Sequence, residues 1–297
     1  MAQFSPVFRR LRRPLRRGPL PRLLATITIA LVTCAVGLYL LLAYPLADDP
    51  RLVPASLQRA RNILLVTAHP DDETLFFSPT ILYHRTNPEV TRALLVLSCG
   101  NYNGLGDTRQ AEIHRSCDRL GIAPERCIVL DRGDLQDNPM AWWDQDLIRD
   151  VVAQYVQQWQ IDLLYTFDDG GVSGHVNHRA VSGGVRKFVQ TTPTAPPAYM
   201  LQSVFLLRKY ASLIDLLRTA LPFTGRILRA LMVSPPHDPS VAVAGRYEDT
   251  ALLVSSWETY RVARTAFAQH ASQYSWDRVL YLVVSRYMWF NNLVRVQ

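Results

Sequence analysis

The chain has 297 residues, of which 48% are hydrophobic, and its formal net charge is +7. This length and apolar content suffice for one large α/β domain or two small ones, and they exclude general disorder. Seven arginines within residues 1–22 carry the whole excess charge, since the rest of the chain has 25 basic and 25 acidic side chains. Because a nucleic-acid-binding domain carries its basic patch on the folded body, this composition disfavours nucleic acid as a partner.

An uncharged stretch runs from Leu23 to Ala47 and is long enough to cross a bilayer as a helix. A cleaved signal peptide is the alternative, but its apolar region normally has only about 7–15 residues. We therefore predict an Arg-rich tail over 1–22, a transmembrane helix over 23–47 and a polar linker over 48–61. The positive-inside rule keeps the arginines in the cytosol and sends the folded domain across the membrane.

Beyond the linker, β-rich and helical patterns alternate in the way typical of parallel βαβ units. Strands are predicted at Asn62–Thr67, Arg92–Ser98, Arg126–Leu130, Asp162–Phe167 and Tyr199–Leu207. Helical periodicity covers Asp107–Leu120 and Asp144–Trp159. We expect an α/β fold, a Rossmann-like three-layer sandwich with a mostly parallel sheet, in one domain over 62–297. A helical insertion around 208–236 either packs on the core or lies on a membrane surface.

The cysteines match neither a zinc-binding spacing nor a disulfide framework. Cys34 lies in the apolar span, and Cys99, Cys117 and Cys127 are interpreted as reduced core residues. Reduced thiols are typical of the cytosol, so this interpretation favours a cytosolic domain.

Two motifs follow predicted strands and carry candidate chemistry. Ala68–Glu73, with the sequence AHPDDE, comes directly after the first strand. Phe167–His178, with the sequence FDDGGVSGHVNH, continues from the strand that ends at Phe167. Side chains at the carboxyl ends of parallel strands reach the crevice where open α/β folds bind ligands. We therefore expect the two histidine-bearing loops to face each other.

The residue types in these loops are suited to a metal-dependent hydrolase. A catalytic zinc binds about three His or carboxylate ligands and leaves one position open, and His69, Asp72 and His178 can supply that set. Asp71 is then free to act as general base on a water of lowered pKa. His175 could reach the opposite side of a substrate carbonyl and stabilise the developing oxyanion.

Each of these features also has a structural interpretation. Acidic residues in a first helical turn favour the helix dipole, and this is the interpretation that we adopt for Glu73. An isolated His-x-x-His pair is weak evidence for a metal site. The remaining histidines do not stand in comparable clusters and are expected to be surface or structural residues: His84, His114, His237 and His270.

Together the two motifs resemble those of the PIG-L family of zinc-dependent de-N-acetylases. The resemblance covers residues 62–293 and has supporting matches at Gly100-Asn101, Gly104-Leu105-Gly106, Arg109-x-x-Glu112, His270-x-Ser272-Gln273, Leu280-Tyr281 and Ser285-Arg286-Tyr287-Met288. The Gly-Val-Ser-Gly-His loop and the Ser-Arg-Tyr-Met segment point to the glycolipid branch of the family.

Carried over by position, the resemblance implies the same set of site residues. His69, Asp72 and His178 become zinc ligands and Asp71 the general base. His175 becomes the residue that polarises the amide carbonyl or protonates the leaving amine. The resemblance also places Arg109 near the substrate, although this arginine could equally be a helix-surface charge paired with Glu112. Zinc is the expected metal, with ferrous iron as an alternative.

The implied reaction is hydrolysis of the N-acetyl group of GlcNAc-phosphatidylinositol, an early step of GPI-anchor synthesis. The implied location is the endoplasmic reticulum membrane, with a single span and a cytosolic domain, although the arginine count predicts the opposite orientation. The partners are then a membrane glycolipid and the lipid bilayer. Alternatives are a deacetylase of another GlcNAc conjugate and a catalytically inactive glycolipid-binding membrane protein. A nucleotide-binding domain is disfavoured because no Gly-x-Gly-x-x-Gly loop follows the first strand.

Overall fold

A computed structural model describes residues 19–234 and 247–297 of the chain. Most of the predicted Arg-rich tail, His237 and the end of the predicted insertion lie outside the described residues. The strands of the described part are β1 Asn62–Thr67, β2 Thr91–Val96, β3 Cys127–Val129, β4 Leu163–Phe167, β5 Ala198–Leu201, β6 Thr250–Val254 and β7 Phe290–Arg295. They form one sheet in the order β3-β2-β1-β4-β5-β7-β6.

Parallel pairing runs from β3 through β5, whereas β7 is antiparallel to both β5 and β6. The chain moves outward from β1 to β3 and then returns to β4. Right-handed crossovers therefore place helices on both faces of the sheet. The prediction of a Rossmann-like α/β fold with a mostly parallel sheet is confirmed.

Helices of very different lengths flank this sheet. They are α1 Pro19–Ala43, α2 Ala55–Arg59, α3 Asp72–Leu75, α4 Ser78–Ile81, α5 Gly106–Leu120, α6 Gln145–Trp159, α7 Gly171–Gly174, α8 Val176–Thr191, α9 Leu206–Lys209, α10 Ile214–Thr219, α11 Thr224–Met232, α12 Trp257–Phe267 and α13 Trp276–Val284. Short 3₁₀ turns cover Asn101–Asn103, Pro124–Arg126, Leu221–Phe223, Ala271–Gln273 and Arg286–Met288. The most extensive contact between two helices joins α6 to α8, and both of these helices also pack on β1.

The predicted strand Tyr199–Leu207 is too long, because β5 ends at Leu201. Beyond it, both the backbone N–H and the hydroxyl of Ser203 donate hydrogen bonds to the Asp168 carboxylate, at 2.6 and 2.5 Å. These bonds draw the chain away from the sheet and towards the loop after β4. The segment from Leu206 is therefore helical.

The interpretation of all cysteines as reduced is wrong for two of them. Cys117 in the last turn of α5 and Cys127 at the start of β3 form a disulfide. Helix α5 packs back on β3, and this brings residues ten positions apart to a Cα–Cα distance of 6.4 Å. Cys99 is a buried thiol, and Cys34 is an exposed one on α1. The cysteines therefore no longer support a cytosolic location.

Helix α1 is long and apolar enough to cross a membrane. Its first part, from Leu20 to Cys34, is exposed on every side, whereas Ala35, Tyr39 and Leu42 are buried against the domain. The last turns of α1 contact α10 and β6. The apolar helix is therefore continuous with the folded domain and is not separated from it by a free hinge.

Hydrogen bonds join the segment that follows α1 to the end of helix α11 in the insertion. Arg51, in the predicted linker, is buried and donates hydrogen bonds from Nη1 to the carbonyls of Arg229 and Val233 at 3.0 and 2.9 Å. Arg229 lies in the last turn of α11 and Val233 directly follows this helix, so the guanidinium group binds carbonyl acceptors at the carboxyl end of α11. On the other side of the insertion, Arg286 Nη1 lies 2.6 Å from Asp215 Oδ2 in a buried ion pair.

Candidate active site

The two histidine-bearing loops leave the sheet side by side. Strands β1 and β4 are direct neighbours, with Leu65 in register with Tyr165. Strand β2 lies on the other side of β1, so the chain direction across the sheet reverses between β1 and β4. Such a reversal point opens a crevice at the carboxyl ends of the strands. The expectation that the two loops face each other is met in the structure.

Three of the predicted residues converge with the spacing of a metal site. His178 Nε2 lies 3.3 Å from His69 Nδ1 and 3.3 Å from Asp72 Oδ1, and His69 Nδ1 lies 3.8 Å from Asp72 Oδ2. Ligand atoms about 2.0–2.1 Å from a tetrahedral zinc are about 3.4 Å apart. The distances among these four atoms of three residues are compatible with one such ion held by His69, His178 and the Asp72 carboxylate, and the three side chains are almost completely buried.

His178 is held in one tautomer and one orientation. Its Nδ1–H donates to the Gly171 carbonyl at 3.0 Å, which leaves Nε2 without a proton and facing His69. Its ring stacks on Phe167 with a centroid distance of 4.2 Å. Gly171 has a φ of +54°, and a Cβ added there would lie 2.9 Å from the His178 Cβ. The glycine is therefore required by the close approach of its backbone to this histidine.

His69 is oriented in the same way, by partners that the sequence patterns did not indicate. Its Nε2 lies 3.2 Å from Asn177 Oδ1 and 3.2 Å from Asp137 Oδ1, so Nδ1 is left facing Asp72. Ligand histidines commonly donate their second N–H to a carboxylate or carbonyl in this manner. Asp137 comes from the loop after β3, and its position at the end of a third parallel strand is the only sequence signal for it.

His175 lies next to this set at the N-cap of α8. Its ring centroid is 4.9 Å from those of both His69 and His178. The ligand atoms of the three histidines lie within 4.8 Å of one another, so they form a second group able to hold a metal. His175 Nδ1 accepts the Asn177 backbone N–H, at 3.3 Å. Burial, followed by the neighbouring imidazoles, lowers the pKa of His175 to about 4.

Asp71 and Arg109 form a buried pair beside the histidines. Asp71 Oδ2 lies 3.7 Å from Arg109 Nη2, and Arg109 also donates hydrogen bonds to the carbonyls of Pro70 and Gly100. Burial raises the pKa of Asp71, and the charge of Arg109 opposes that rise. The possible surface pairing of Arg109 with Glu112 is wrong, because Glu112 is buried and accepts two hydrogen bonds from Ser272.

The interpretation of Glu73 as a simple helix-initiating acid is also wrong. Glu73 is fully buried, and its Oε1 lies 2.7 Å from His270 Nε2 and 2.8 Å from Ser116 Oγ. Its Oε2 accepts the backbone N–H of Asp71 at 3.0 Å. Asp71 has a φ of +110°, a strained value for a residue with a side chain. Glu73 and His270 therefore support the unusual backbone that presents Asp71.

A cavity of about 670 Å³ opens beside these residues. Its inner end is formed by His69, Asp71, Asp72, Arg109, Asp137, His175 and His178, so every predicted site residue lines it. Lys209 and Arg278 lie further along its wall, and the exposed side chains of Trp276 and Leu280 line its outer end. The cavity thus leads from a polar, ligand-rich floor to an apolar opening.

Comparisons with known proteins agree with this fold and identify the family. The family model described as PIG-L, GlcNAc-PI de-N-acetylase, matches residues 64–189. The N-acetylglucosaminyl-phosphatidylinositol de-N-acetylase of Bos taurus is 40% identical over 233 residues, covering 77% of this chain and 81% of that protein. The Saccharomyces cerevisiae protein of the same name is 31% identical and covers 77% of this chain and 80% of that protein.

Among solved structures, teicoplanin deacetylase in its zinc-inhibited form has the same fold, with a TM-score of 0.51 and 11% identity over 79% of this chain and 97% of that one. The pseudoaglycone deacetylase of the antimicrobial A40926 also has a TM-score of 0.51, with 12% identity over 79% of this chain and 96% of that one. The sequence-based identification is confirmed: this chain belongs to the PIG-L family of GlcNAc-PI de-N-acetylases.

Proposed function

We propose that this protein removes the acetyl group from GlcNAc-phosphatidylinositol, giving glucosaminyl-phosphatidylinositol and acetate, in GPI-anchor biosynthesis. The observation that carries the proposal is the ligand-spaced cluster of His69, Asp72 and His178 on the floor of a cavity with an apolar opening. A sugar headgroup suits the polar floor, and a lipid suits the opening. The names of the relatives from Bos taurus and Saccharomyces cerevisiae support the same substrate.

The three clustered residues are proposed as ligands of a catalytic zinc. The set of His69, Asp72 and His178 is favoured over the three-histidine group. His175 Nδ1 accepts a backbone N–H, which places the proton of the neutral ring on Nε2 and leaves neither nitrogen free to bind a metal. When bound, zinc supplies Lewis acidity towards a carbonyl and lowers the pKa of a water molecule at its open position. Ferrous iron is the alternative metal, since imidazole and carboxylate ligands suit both ions.

Asp71 is proposed as the general base. Its carboxylate is buried, lines the cavity and is adjacent in sequence to the ligand Asp72, so it can take a proton from the attacking water. Arg109, 3.7 Å away, stabilises the ionised form of Asp71. Arg109 therefore positions the base, and its place in the cavity wall also allows contact with the sugar.

His175 is proposed to polarise the amide carbonyl. Because its Nδ1 accepts the N–H of Asn177, the ring proton of the neutral imidazole lies on Nε2. An Nε2–H group can donate a hydrogen bond to the oxygen on which negative charge develops. This tautomer favours stabilisation of the oxyanion over the alternative role, protonation of the leaving amine by a charged imidazolium.

The bilayer is proposed as the surface on which the enzyme works, with α1 as its membrane anchor. The exposed part of α1, Leu20–Cys34, extends about 22 Å at about 1.5 Å per residue. A bilayer core is about 30 Å thick, so a spanning helix must also bring its domain-packed turns into the lipid. The domain would then be partly embedded.

Exposed apolar side chains lie where that embedding requires them. The name apolar rim is used here for the exposed side chains of Phe205, Leu206, Leu207, Trp276, Leu280 and Val283, of which Trp276 and Leu280 line the cavity. Hydrogen bonds from Ser212 to the carbonyls of Val283 and Val284 join the α9–α10 connection to α13, and α10 contacts α1. Insertion of this rim into the lipid boundary would let the substrate's acyl chains stay in the bilayer while its headgroup enters the cavity.

The proposed location is the endoplasmic reticulum membrane, with the domain on the cytosolic face. The family resemblance supports this face, whereas the amino-terminal arginines and the Cys117–Cys127 disulfide favour the opposite one. Protease protection of the carboxyl terminus in sealed microsomes decides between them. Digestion without detergent supports the cytosolic face, and protection until detergent is added contradicts it.

The function is tested by acetate release from GlcNAc-phosphatidylinositol in detergent. The full chain should turn over this lipid, chelation should abolish turnover and added zinc should restore it. Asp71→Ala should lose about 10²–10⁴-fold in rate, whereas Asp150→Ala, which changes an exposed acid on α6, should be unaffected. An inactive metal-loaded wild type would contradict the proposal and direct the assay to soluble GlcNAc conjugates.

A further inference from the structure

Lysine is rare in this chain, and Lys209 also has unusual surroundings. The chain has only two lysines among 32 basic residues. Lys187 is partly exposed on α8 and forms an ion pair with Asp146 at 2.6 Å. Lys209, at the end of α9, is only 7% exposed and lines the cavity. Burial of a lysine ammonium group is costly unless an opposite charge compensates for it.

The described part of the chain supplies aromatic rings to Lys209 but no acid within ion-pair distance. Its Nζ lies 5.5 Å from the ring centroid of Phe76, 5.6 Å from that of Tyr281 and 5.7 Å from that of Tyr210. Within residues 19–234 and 247–297, no carboxylate lies within 4.0 Å of this nitrogen. Cation–π contacts offset part of the desolvation cost, but they do not neutralise the charge.

A second cation in the same cavity also lacks an ion pair in the described part of the chain. Arg278, on α13, is partly buried and lines the cavity with Lys209. Its neighbour Asp277 faces the cavity as well, but the Asp277 carboxylate accepts a hydrogen bond from Ser275 and lies more than 4.0 Å from either cation. By contrast, Arg109 on the cavity floor is paired with Asp71. The middle of the cavity therefore has a net positive charge.

This positive charge lies between the proposed metal ligands and the apolar opening, just as the phosphate of the substrate lies between its acetamido sugar and its acyl chains. The Phe76 ring centroid lies 5.5 Å from Lys209 Nζ and 5.9 Å from the centroid of the His178 ring. The same aromatic ring is thus close to both the ammonium group and one of the proposed metal ligands. Towards the outside, Tyr210 and Leu280 lead to the apolar rim. A bound molecule would present an acetamido sugar, then an anion and then acyl chains.

We propose that Lys209 and Arg278 form the subsite for the phosphodiester of the substrate, between the deacetylation site and the lipid. This inference deepens the proposed function and rests on it. The two cations supply charge-assisted hydrogen bonds to the non-bridging phosphate oxygens, which carry a full negative charge. The aromatic walls exclude water and strengthen the attraction. The subsite thereby selects a phosphorylated glycolipid over an uncharged GlcNAc conjugate.

The test uses two soluble substrates that differ only in this group. Both are GlcNAc-inositol; one carries a methyl phosphodiester at the lipid position, and the other carries a methyl ether. Lys209→Met, similar in length and apolar, should lower kcat/KM for the phosphodiester by about 10- to 100-fold, mainly through KM. It should change kcat/KM for the ether less than about twofold. Arg278→Gln should have the same selective effect, and Lys187→Met should have none.

The ether substrate also reports whether the variants fold. Equal losses on both substrates, or no loss on either, would overturn the subsite while leaving the deacetylase function intact. If the wild type turns over neither soluble substrate and also releases no acetate from GlcNAc-phosphatidylinositol in detergent, the proposed function fails. In that case calorimetric binding of the two compounds still decides the subsite, because wild type should bind the phosphodiester more tightly than the ether and only Lys209→Met and Arg278→Gln should remove that difference.

Discussion

The floor of the cavity and its rim are built in opposite ways. On the floor, His69, His178 and Asp72 each contact two or more buried partners, and the backbone of Asp71 is held in a strained conformation by Glu73. On the rim, Leu207 and Trp276 are 76% and 81% exposed. Buried hydrogen bonds hold the floor in place, whereas the rim leaves apolar side chains exposed. A lipid-modifying enzyme needs both properties.

The largest effect is expected from breaking the buried Glu73–His270 ion pair, which supports the backbone of Asp71. Glu73→Gln removes one charge from a fully buried pair and leaves His270 without its counter-ion. Loss of one partner of a buried pair costs about 3–5 kcal/mol. Thermal unfolding in detergent should show a midpoint lower by roughly 10 °C. Glu258→Gln, at an exposed ion pair, should leave the midpoint unchanged, and an unchanged midpoint for Glu73→Gln would contradict the structural role.

The Glu73–His270 pair shows the limit of prediction from sequence patterns. Two short motifs that follow strands contain the five residues of the predicted site, so the position of each motif after its strand predicts that they meet: His69, Asp71, Asp72, His175 and His178. Glu73 and His270 are 197 residues apart, and the tertiary fold alone pairs them.

Other features were missed for related reasons. Asp137 lies in a loop without periodicity, and the Cys117–Cys127 bond depends on how α5 returns to β3. The antiparallel strands β6 and β7 were not predicted, because their pairing depends on long-range partners more than on a local pattern. The parallel core, in contrast, follows from apolar runs that alternate with helical periodicity.

A smaller effect is expected from changing how one ligand is oriented. Gly171→Ala places a Cβ 2.9 Å from the His178 Cβ and disfavours the φ of +54°. The hydrogen bond that fixes the His178 tautomer should be displaced. Metal affinity should fall about 10- to 100-fold, as measured by competition with a chromogenic chelator. Gly133→Ala, where an added Cβ meets nothing within 4 Å, is the matched control. Equal affinities for the two variants would contradict this account.

Between floor and rim, the proposed phosphodiester subsite should depend on pH. Burial, followed by the charge of Arg278, lowers the pKa of Lys209 to about 8. The ammonium form attracts the anion, so the preference for the phosphodiester substrate should be full at lower pH. It should decline as pH rises through the Lys209 pKa. Steady-state kinetics from pH 6 to about 9.5 should show this decline in wild type. For Lys209→Met, the preference for the phosphodiester should not change with pH. A preference that does not change with pH in wild type would contradict a role for the Lys209 ammonium group.

The smallest effect is expected at the rim, where each side chain makes a separate contribution. Leu207→Ser should weaken binding to phosphatidylcholine vesicles by several-fold, corresponding to about 1 kcal/mol of lost apolar burial. Turnover of the soluble phosphodiester substrate should be unchanged, because Leu207 does not line the catalytic cavity. Vesicle flotation of the full chain measures the first quantity. A loss of soluble turnover would show that the rim also organises the floor.

The most direct test of the metal site compares metal content in two purified variants, Asp72→Ala and His175→Ala, after loading with zinc and removal of the excess. The proposed ligand set predicts that His175→Ala retains about one equivalent of metal per chain, as wild type does, whereas Asp72→Ala loses it. Both variants should be inactive in acetate release. Retention of metal by Asp72→Ala together with its loss from His175→Ala would contradict the proposed ligands and assign the ion to the three histidines.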